Sequence, residues 1–455
     1  MRLFYVTEPV EARVTYDRVA KRFLAVLDGT PAAVDGAPAA PVRLLPANGP
    51  APTAGEIYFG TGLEWNPLAH ALAAAGRGAA LKLLSEAATA RVMRTPGLPP
   101  RLGYVHALGK PFIPLESQLD GLHAGPAPRV AVVNFLHHAF GDAIVSLTVL
   151  RELRLRLERR FGARPRIDLF QNDYVPGVEA LYRRSGLCGA VRRLPAPLSE
   201  LAAYDAYFDF SVAAYNLEKP WTDALLETVG VDPATVPPDR KRNRLALAPR
   251  ARREVEPAVE EARARGGPVL LFHPLASTPL RSCPPGRAVR FVHEVLERTP
   301  WTVACATPLG AEHNRVVDWS VASRSFDHFM ALIAASDAFV AADTSVYHVA
   351  DAFDVPGVVV FTTVAPEQRV GPYPLITGID LRSSGLPAGP HEDDDPAKAA
   401  VAAGLWEEMD TDVVLAALEG TVGRRRESVK RMGPPDCAAA AAQQSNSAVV
   451  PAERR

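Results

Sequence analysis

Cysteine is scarce in this 455-residue chain: Cys188, Cys283, Cys305 and Cys437 are scattered, with no C-x-x-C pair. That spacing signals neither a disulfide framework nor a cysteine metal site, and it fits a reducing, cytoplasmic compartment. An excess of one charge is lacking too. Fifty Lys and Arg stand against 51 Asp and Glu, a formal net charge of −1, whereas a general binder of nucleic acid or of anionic surfaces carries surplus Lys and Arg. No uncharged apolar run reaches the ~18 residues a membrane-crossing helix needs. The start, Met1-Arg2-Leu3-Phe4-Tyr5-Val6, reads as a strand rather than a signal peptide, because Glu8 and Glu11 interrupt any apolar region. A soluble protein is expected, free to touch the cytoplasmic face of the inner membrane.

What is present is a globular composition, 48% apolar and 22% charged, in a chain long enough for two or three domains. Residues 1–127 open on the strand and then turn rich in Ala, Pro and Gly; they carry no motif and read as an accessory region of unknown role. From Arg129 the texture changes. Arg129-Val-Ala-Val-Val-Asn-Phe-Leu136 has the apolar, β-branched character of a buried parallel strand. Leu147, Leu150, Leu153, Leu157 and Phe161 then place one apolar stripe on a long helix. Strands are expected at 166–170 and 207–211, and a linker at Pro237-Pro238 with the basic run Asp239-Arg-Lys-Arg-Asn-Arg244.

The pattern then starts again. Strands are expected at 268–272, 302–306, 338–342 and 357–361, with helices marked by Ala288, Phe291, Val292, Val295 and Leu296 and by Phe326, Phe329, Met330 and Ile333. Strands alternating with helices imply an α/β fold of two doubly wound, Rossmann-like domains, 128–245 and 246–421. Residues 383–409, with His391-Glu-Asp-Asp-Asp395, read as a solvated acidic loop, and 422–455 as a disordered tail.

Three segments could carry chemistry. The first is His137-His138-Ala139-Phe140-Gly141-Asp142, beyond the first strand of the middle domain, where ligands bind open α/β sheets. Gly141 permits a tight turn, and Asp142 at the helix start is either an N-cap or a functional carboxylate. No G-x-G-x-x-G occurs there, which disfavours a dinucleotide site. The second is His273-Pro-Leu-Ala-Ser277-Thr-Pro-Leu-Arg281-Ser-Cys-Pro284. Arg281 is either a solvated surface side chain or the partner of a diphosphate. The third is Ala341-Ala-Asp343-Thr344-Ser345-Val-Tyr-His348, a strand passing directly into a helix, whose first N–H groups attract anions. Asp343 is better placed as a cap or a sugar-hydroxyl ligand, and His348, read alone, is a core histidine.

The order and spacing of these pieces resemble glycosyltransferase family 9, the ADP-heptose:lipopolysaccharide heptosyltransferases. The resemblance runs over roughly 129–382 and is most specific at Asp343-Thr344-x-x-x-His348-x-Ala350 and the following Val355-Pro356 strand. It implies a GT-B fold, two Rossmann-like domains facing across a cleft, and metal-independent inverting transfer from a nucleotide sugar, with ADP-heptose favoured and no cofactor. The acceptor would be a lipopolysaccharide-core sugar or another glycan or protein. By the same resemblance Asp142 is the general base and Arg281 stands near the diphosphate. His273, Ser277, Asp343, Thr344, Ser345 and His348 bind the donor, and His138 and Gly141 belong to the acceptor-side loop. Leu275 and Ser345 stand where the family has glycine. Those changes leave a silent sugar-nucleotide-binding protein, or a sugar-nucleotide epimerase of the same fold, as alternatives.

Overall fold

A computed structural model describes residues 2–17, 22–34, 43–46, 48, 56–60, 67–93, 112–120, 127–135, 139–171, 176–210, 219–383, 386 and 395–432. It divides into two compact units, Met1–Lys241 and Arg242–Arg455.

The first unit contains β1 (Arg2–Val6), β2 (Ala12–Asp17), β3 (Arg22–Leu27), β4 (Thr30–Val34), β5 (Arg43–Leu45), β6 (Glu56–Gly60), α1 (Pro67–Ala74), β7 (Leu81–Leu84), α2 (Glu86–Met93) and α3 (Leu115–Leu119). It continues with β8 (Arg129–Val133), α4 (Phe140–Phe161), β9 (Arg166–Gln171), α5 (Pro176–Arg184), β10 (Ala190–Arg193), β11 (Ala196–Pro197), α6 (Leu198–Leu201), β12 (Ala206–Asp209) and α7 (Trp221–Thr228). The parallel sheet β10-β9-β8-β12 is the expected one. Strand β8 stops at Val133, short of the expected Leu136, because Asn134 turns the chain with φ 56°.

Residues 1–127 are more than an appendage. Strands β11-β6-β1-β7-β5 form a second sheet, in which β11 from beyond residue 128 pairs with β6. Leu3, Tyr5 and Leu84 share one core with Ala131, Val133 and Phe170. Burying apolar faces on both sides of β8 and β9 explains why one unit forms where the sequence suggested two regions.

The second unit runs through α8 (Pro249–Ala264), β13 (Val269–His273), α9 (Pro285–Arg298), β14 (Thr302–Cys305), β15 (Val316–Asp318), α10 (Phe326–Ala335), β16 (Ala338–Ala342), α11 (Val346–Ala352), β17 (Gly357–Phe361), α12 (Pro366–Val370), β18 (Ile376–Asp380), α13 (Pro396–Glu407) and α14 (Thr411–Met432). Its six strands are all parallel, in the order β15-β14-β13-β16-β17-β18. The inner strands β14, β16 and β17 are buried along their whole length, as helices on both faces of a parallel sheet require. Gly357 lets β17 close on β16, since a Cβ there would sit 2.2 Å from the Phe339 ring.

Two expectations need correcting here. The acidic stretch 383–409 is not all loop: Asp395 caps α13 by accepting from the Ala397 N–H at 2.9 Å, and Ala402 and Trp406 are buried. Aspartate followed by proline and alanines is a helix start, and the charge masked it; residues 391–394 lie outside the described residues. Helix α14 continues to Met432, past the expected end of the domain, with Thr421 buried and Val422 packed on the sheet's core. Among the described residues no helix is long and apolar enough to cross a membrane.

Candidate functional site

Both parallel sheets reverse their strand order beside their first strand. In the second unit the chain builds outward from β13 through β14 to β15, then returns to β16 on the other side. In the first it goes from β8 through β9 to β10 and returns to β12. Loops leaving adjacent strands in opposite directions open a crevice beyond their carboxyl ends, and ligands of such sheets bind there. The loops after β8 and β13 carry the first two candidate segments, and the β16–α11 junction carries the third.

In the second unit these segments meet. Arg281, 62 residues before Asp343 in sequence, donates from Nη1 to the Asp343 backbone carbonyl at 3.1 Å and lies 3.4 Å from its Oδ2. The same guanidinium donates to the Ser277 hydroxyl and, from Nε, to Thr278 Oγ1 at 3.4 Å. Arg281 is therefore a held, mostly covered side chain, not the solvated one that its loop position allows. Asp343 is buried and also accepts from the Tyr347 hydroxyl at 2.9 Å. The loop around Arg281 is braced by its own backbone: Cys283 N–H donates to Pro274 O at 2.8 Å, and the Ser282 hydroxyl donates to Thr278 O at 2.8 Å. Thr344 Oγ1 accepts from the Val346 N–H at 3.2 Å, which sets the first turn of α11, and Ser345 is the residue at its start.

The two histidines are neutral for a common reason. His273, at the end of β13, packs on Phe329 with ring centroids 5.1 Å apart, and burial pushes its pKa down to about 4. His348 is buried, shares a 2.9 Å hydrogen bond between Nδ1 and the Tyr373 hydroxyl, and meets the Tyr347 ring at 4.1 Å. Burial first, and the charge of Arg369 second, hold its pKa well below the ordinary histidine value.

Sequence reasoning missed two threonines, which stand with the already singled-out His273 in one respect. Among the described residues, His273 Nδ1, Thr307 Oγ1 and Thr363 Oγ1 are buried without a hydrogen-bond partner in the protein. They stand at or just past the carboxyl ends of β13, β14 and β17, and a buried polar atom left unpaired is costly unless something else pairs it. Thr362 beside them is satisfied, donating to the Leu280 carbonyl at 2.6 Å and tying the β17 loop to the Arg281 loop. The missed signal was positional: both threonines follow apolar strand runs at the ligand-facing edge. Tyr347 and Tyr373 complete the set, and nothing in their spacing announced them.

In the first unit, Asp142 sits in the first turn of α4, two residues inside it, while Ala139 holds the cap position with φ −135° and no side-chain cap bond. Asp142 is thus not the N-cap, though a carboxylate there still meets the positive end of the helix. It is half-buried with Gly141 beside it, and its charge is felt by the buried Tyr182 hydroxyl. His137 and His138 lie outside the described residues. Among the described residues no group of three or more His, Cys, Asp or Glu is placed to hold a metal ion.

The family model "Glycosyltransferase family 9 (heptosyltransferase)" matches residues 306–379. No curated protein matches the chain. Among solved structures, a glycosyl transferase family 9 protein from Veillonella parvula is 12% identical, with 66% of this chain and 100% of that chain covered and a TM-score of 0.45. The E. coli ADP-heptose lps heptosyltransferase II is 13% identical, with 66% and 99% covered and a TM-score of 0.47. A dodecameric iron-containing heptosyltransferase, TibC, in complex with ADP-D-beta-D-heptose, is 11% identical, with 67% and 77% covered and a TM-score of 0.42. The chain is thus similar to glycosyltransferase family 9, and the matched stretch is the one that holds Asp343, Thr344, Ser345 and His348.

Proposed function

We propose that this chain is an inverting, metal-independent glycosyltransferase that moves a sugar from a nucleotide sugar to a hydroxyl of a glycan or protein. The observation that carries the reading is Arg281 anchored on Asp343, together with the unpaired His273, Thr307 and Thr363 atoms at or just past the carboxyl ends of strands of the same sheet. One cation held in place among neutral donors suits a ligand with a diphosphate and uncharged hydroxyl-bearing parts. ADP-heptose is the favoured donor, by the family match and because that is what TibC is bound to. Ser277, Thr344 and Ser345 supply hydroxyls at the same edge.

Under this reading the acceptor oxygen forms its bond to the anomeric carbon as the bond from that carbon to the diphosphate oxygen breaks. Asp142 takes the acceptor's proton, and the nucleoside diphosphate leaves with the electron pair, its growing charge met by Arg281. His138 and Gly141 would shape the acceptor side of the loop bearing Asp142. The acceptor would be a lipopolysaccharide-core sugar or another glycan or protein, met in the cytoplasm or at the cytoplasmic face of the inner membrane.

Replacing Asp142 by Ala should lower transfer by about 10²–10⁴-fold, the range for a lost general base, with ADP affinity nearly unchanged. Full activity in that variant ends the base assignment. A thermal-shift screen over ADP-, UDP- and GDP-sugars tests the donor, and no shift with any of them removes the whole reading. Leu275 in a position the family gives to glycine, exposed in the Arg281 loop, favours one rival: a protein that binds ADP-sugars without transferring them. ADP stabilisation with neither transfer nor donor hydrolysis would select it.

A further inference from the structure

The loop bearing Asp142 is one part of the carboxyl edge of the first unit's parallel sheet, and β9 ends beside it. From β8 the chain steps to β9 and on to β10 in a single direction, so right-handed crossovers put α4 and α5 on the same face. The other face holds the core shared with the N-terminal sheet, to which Phe170 of β9 and Leu198 and Leu201 of α6 belong. Asp168 looks the same way, accepting from the Tyr204 hydroxyl at 2.7 Å. Side chains alternate along a strand. Gln171, the last residue of β9, therefore stands on the face of α4 and α5. Its backbone is pinned on both sides: the Leu194 N–H donates to the Gln171 carbonyl at 2.7 Å, and the Phe135 N–H to the Phe170 carbonyl at 3.1 Å.

Gln171 is 3% exposed, and its amide Nε2 is buried with no hydrogen-bond partner in the protein. Ser146 is in the same state: fully buried, its hydroxyl bonded to nothing in the protein, one turn along α4 from Asp142. Helix positions four apart lie on one side, so Ser146 continues the side of α4 on which Asp142 stands. Unpaired polar atoms are a poor choice for packing alone, where an apolar side chain costs less. Both stand where β9 ends and α4 begins.

We infer that Gln171 reads a glycan acceptor, its amide N–H donating to a sugar oxygen next to the hydroxyl that is attacked, with Ser146 a second donor deeper in the same corner. This assignment rests on the function proposed above and chooses among the acceptors left open there. An amide and a hydroxyl are neutral donors beside a carboxylate. They suit uncharged oxygens, because an anionic group would meet the charge of Asp142. A sugar ring holds such an oxygen on the carbon next to its reacting hydroxyl, whereas a serine or threonine side chain offers one hydroxyl alone. Arg193, paired with Gln171 on the last rung of β10, is exposed and one strand farther from β8, at the margin of this corner.

Methyl glycosides of common hexoses and heptoses, with their mono-deoxy forms, serve as probes, and ADP-heptose as donor. Gln171→Met keeps the volume and removes the N–H. It should raise KM for the parent's best glycoside by about five- to tenfold, the scale of one hydrogen bond, with kcat and the KM for ADP-heptose changed by less than about twofold. On one mono-deoxy form parent and variant should agree, because the oxygen that Gln171 holds is gone. Ser146→Ala, a mild change, should raise KM by about two- to threefold, and it decides the matter if Gln171→Met does not fold. Unchanged KM in the folded variants overturns the inference, as does a parent that prefers a serine- or threonine-containing peptide to every glycoside. The unliganded variants should melt no lower than the parent, since neither deletes a bond within the protein. A lower melting temperature in both makes these residues structural and also overturns it. Saturation-transfer NMR of the same glycosides with ADP present reads binding without turnover. If the chain transfers no sugar, the enzymatic reading falls, and the NMR alone decides here. Signals that the parent shows and Gln171→Met loses uphold Gln171; equal signals, or none in the parent, overturn it.

Discussion

The two parallel sheets share one plan and differ in what they place at its focus. Each begins at the strand beside its point of reversal, β8 in one unit and β13 in the other, and each sends a candidate loop out of that strand's carboxyl end. Beyond β13 the loop carries a cation locked on a buried carboxylate, and unpaired hydroxyl and imidazole atoms stand at or just past the carboxyl ends of β13, β14 and β17. Beyond β8 the described part carries a carboxylate at a helix start, near a buried phenol. Repeated topology creates two such edges, and under the proposed function side-chain charge would give them opposite tasks. One would meet a leaving diphosphate and the other a proton.

That contrast can be broken most severely at its cationic side. Arg281→Ala should cost about 10²–10³-fold in kcat, the scale of a lost donor to developing charge, whereas a base-side variant such as Asp142→Ala leaves ADP binding intact. Arg281→Ala with unchanged kcat in a steady-state transfer assay would remove the assignment of opposite tasks. A smaller effect is expected at the unpaired threonines. Thr363→Val and Thr307→Val keep shape and delete the hydroxyl. Each should weaken ADP-sugar binding by roughly five- to tenfold, as for one hydrogen bond of about 1 kcal/mol. The unliganded proteins should melt no lower than the parent, because the deleted atom had no partner there. A lowered melting temperature with undiminished ligand affinity would make these residues structural.

Smaller again is a pH effect confined to the second unit. His273 has a folded pKa near 4, below the 6.5 of the unfolded chain. Its contribution to stability is present above pH 6.5 and is lost as pH falls toward 4, because the unfolded state then takes a proton the native state refuses. His273→Leu should flatten the melting temperature between pH 6.5 and 4.5 relative to the parent. Parallel curves for the two proteins would deny the burial effect. The smallest change is expected for Tyr373→Phe, which removes the hydroxyl bonded to His348 and should destabilise by about 1 kcal/mol in urea unfolding.

How legible all this was in the sequence depended on how local each cause is. The strands of the second unit could be read because runs such as Ala338–Ala342 and Gly357–Phe361 are apolar throughout, as burial on both faces demands. Helix α9 showed in its spacing because one stripe meets the core. Asp343 and Arg281 could each be singled out, but their contact spans 62 residues and is a product of the β13–β16 pairing. Thr307 and Thr363 were readable only in hindsight of strand order. Strand β1 was legible, but the other strands of residues 1–127 hid for another reason: they are short and sit among Ala- and Pro-rich stretches, and β6 and β7 pair with the distant β1. The basic run at 239–244 reads as a linker, and the division of the chain falls inside it; composition alone could not show that Arg240 pairs with Glu152 and Arg242 with Asp351.

The shared core of the N-terminal sheet has a practical side for anyone trimming this protein. A shortened version starting near residue 127, where the recognisable family pattern begins, would strip Leu3, Tyr5, Leu84 and Ala88 from Ala131, Val133 and Phe170, and would leave β11 without β6. The bared patch would be flat, greasy and bordered by a strand seeking a partner, the combination that sends recombinant proteins into inclusion bodies.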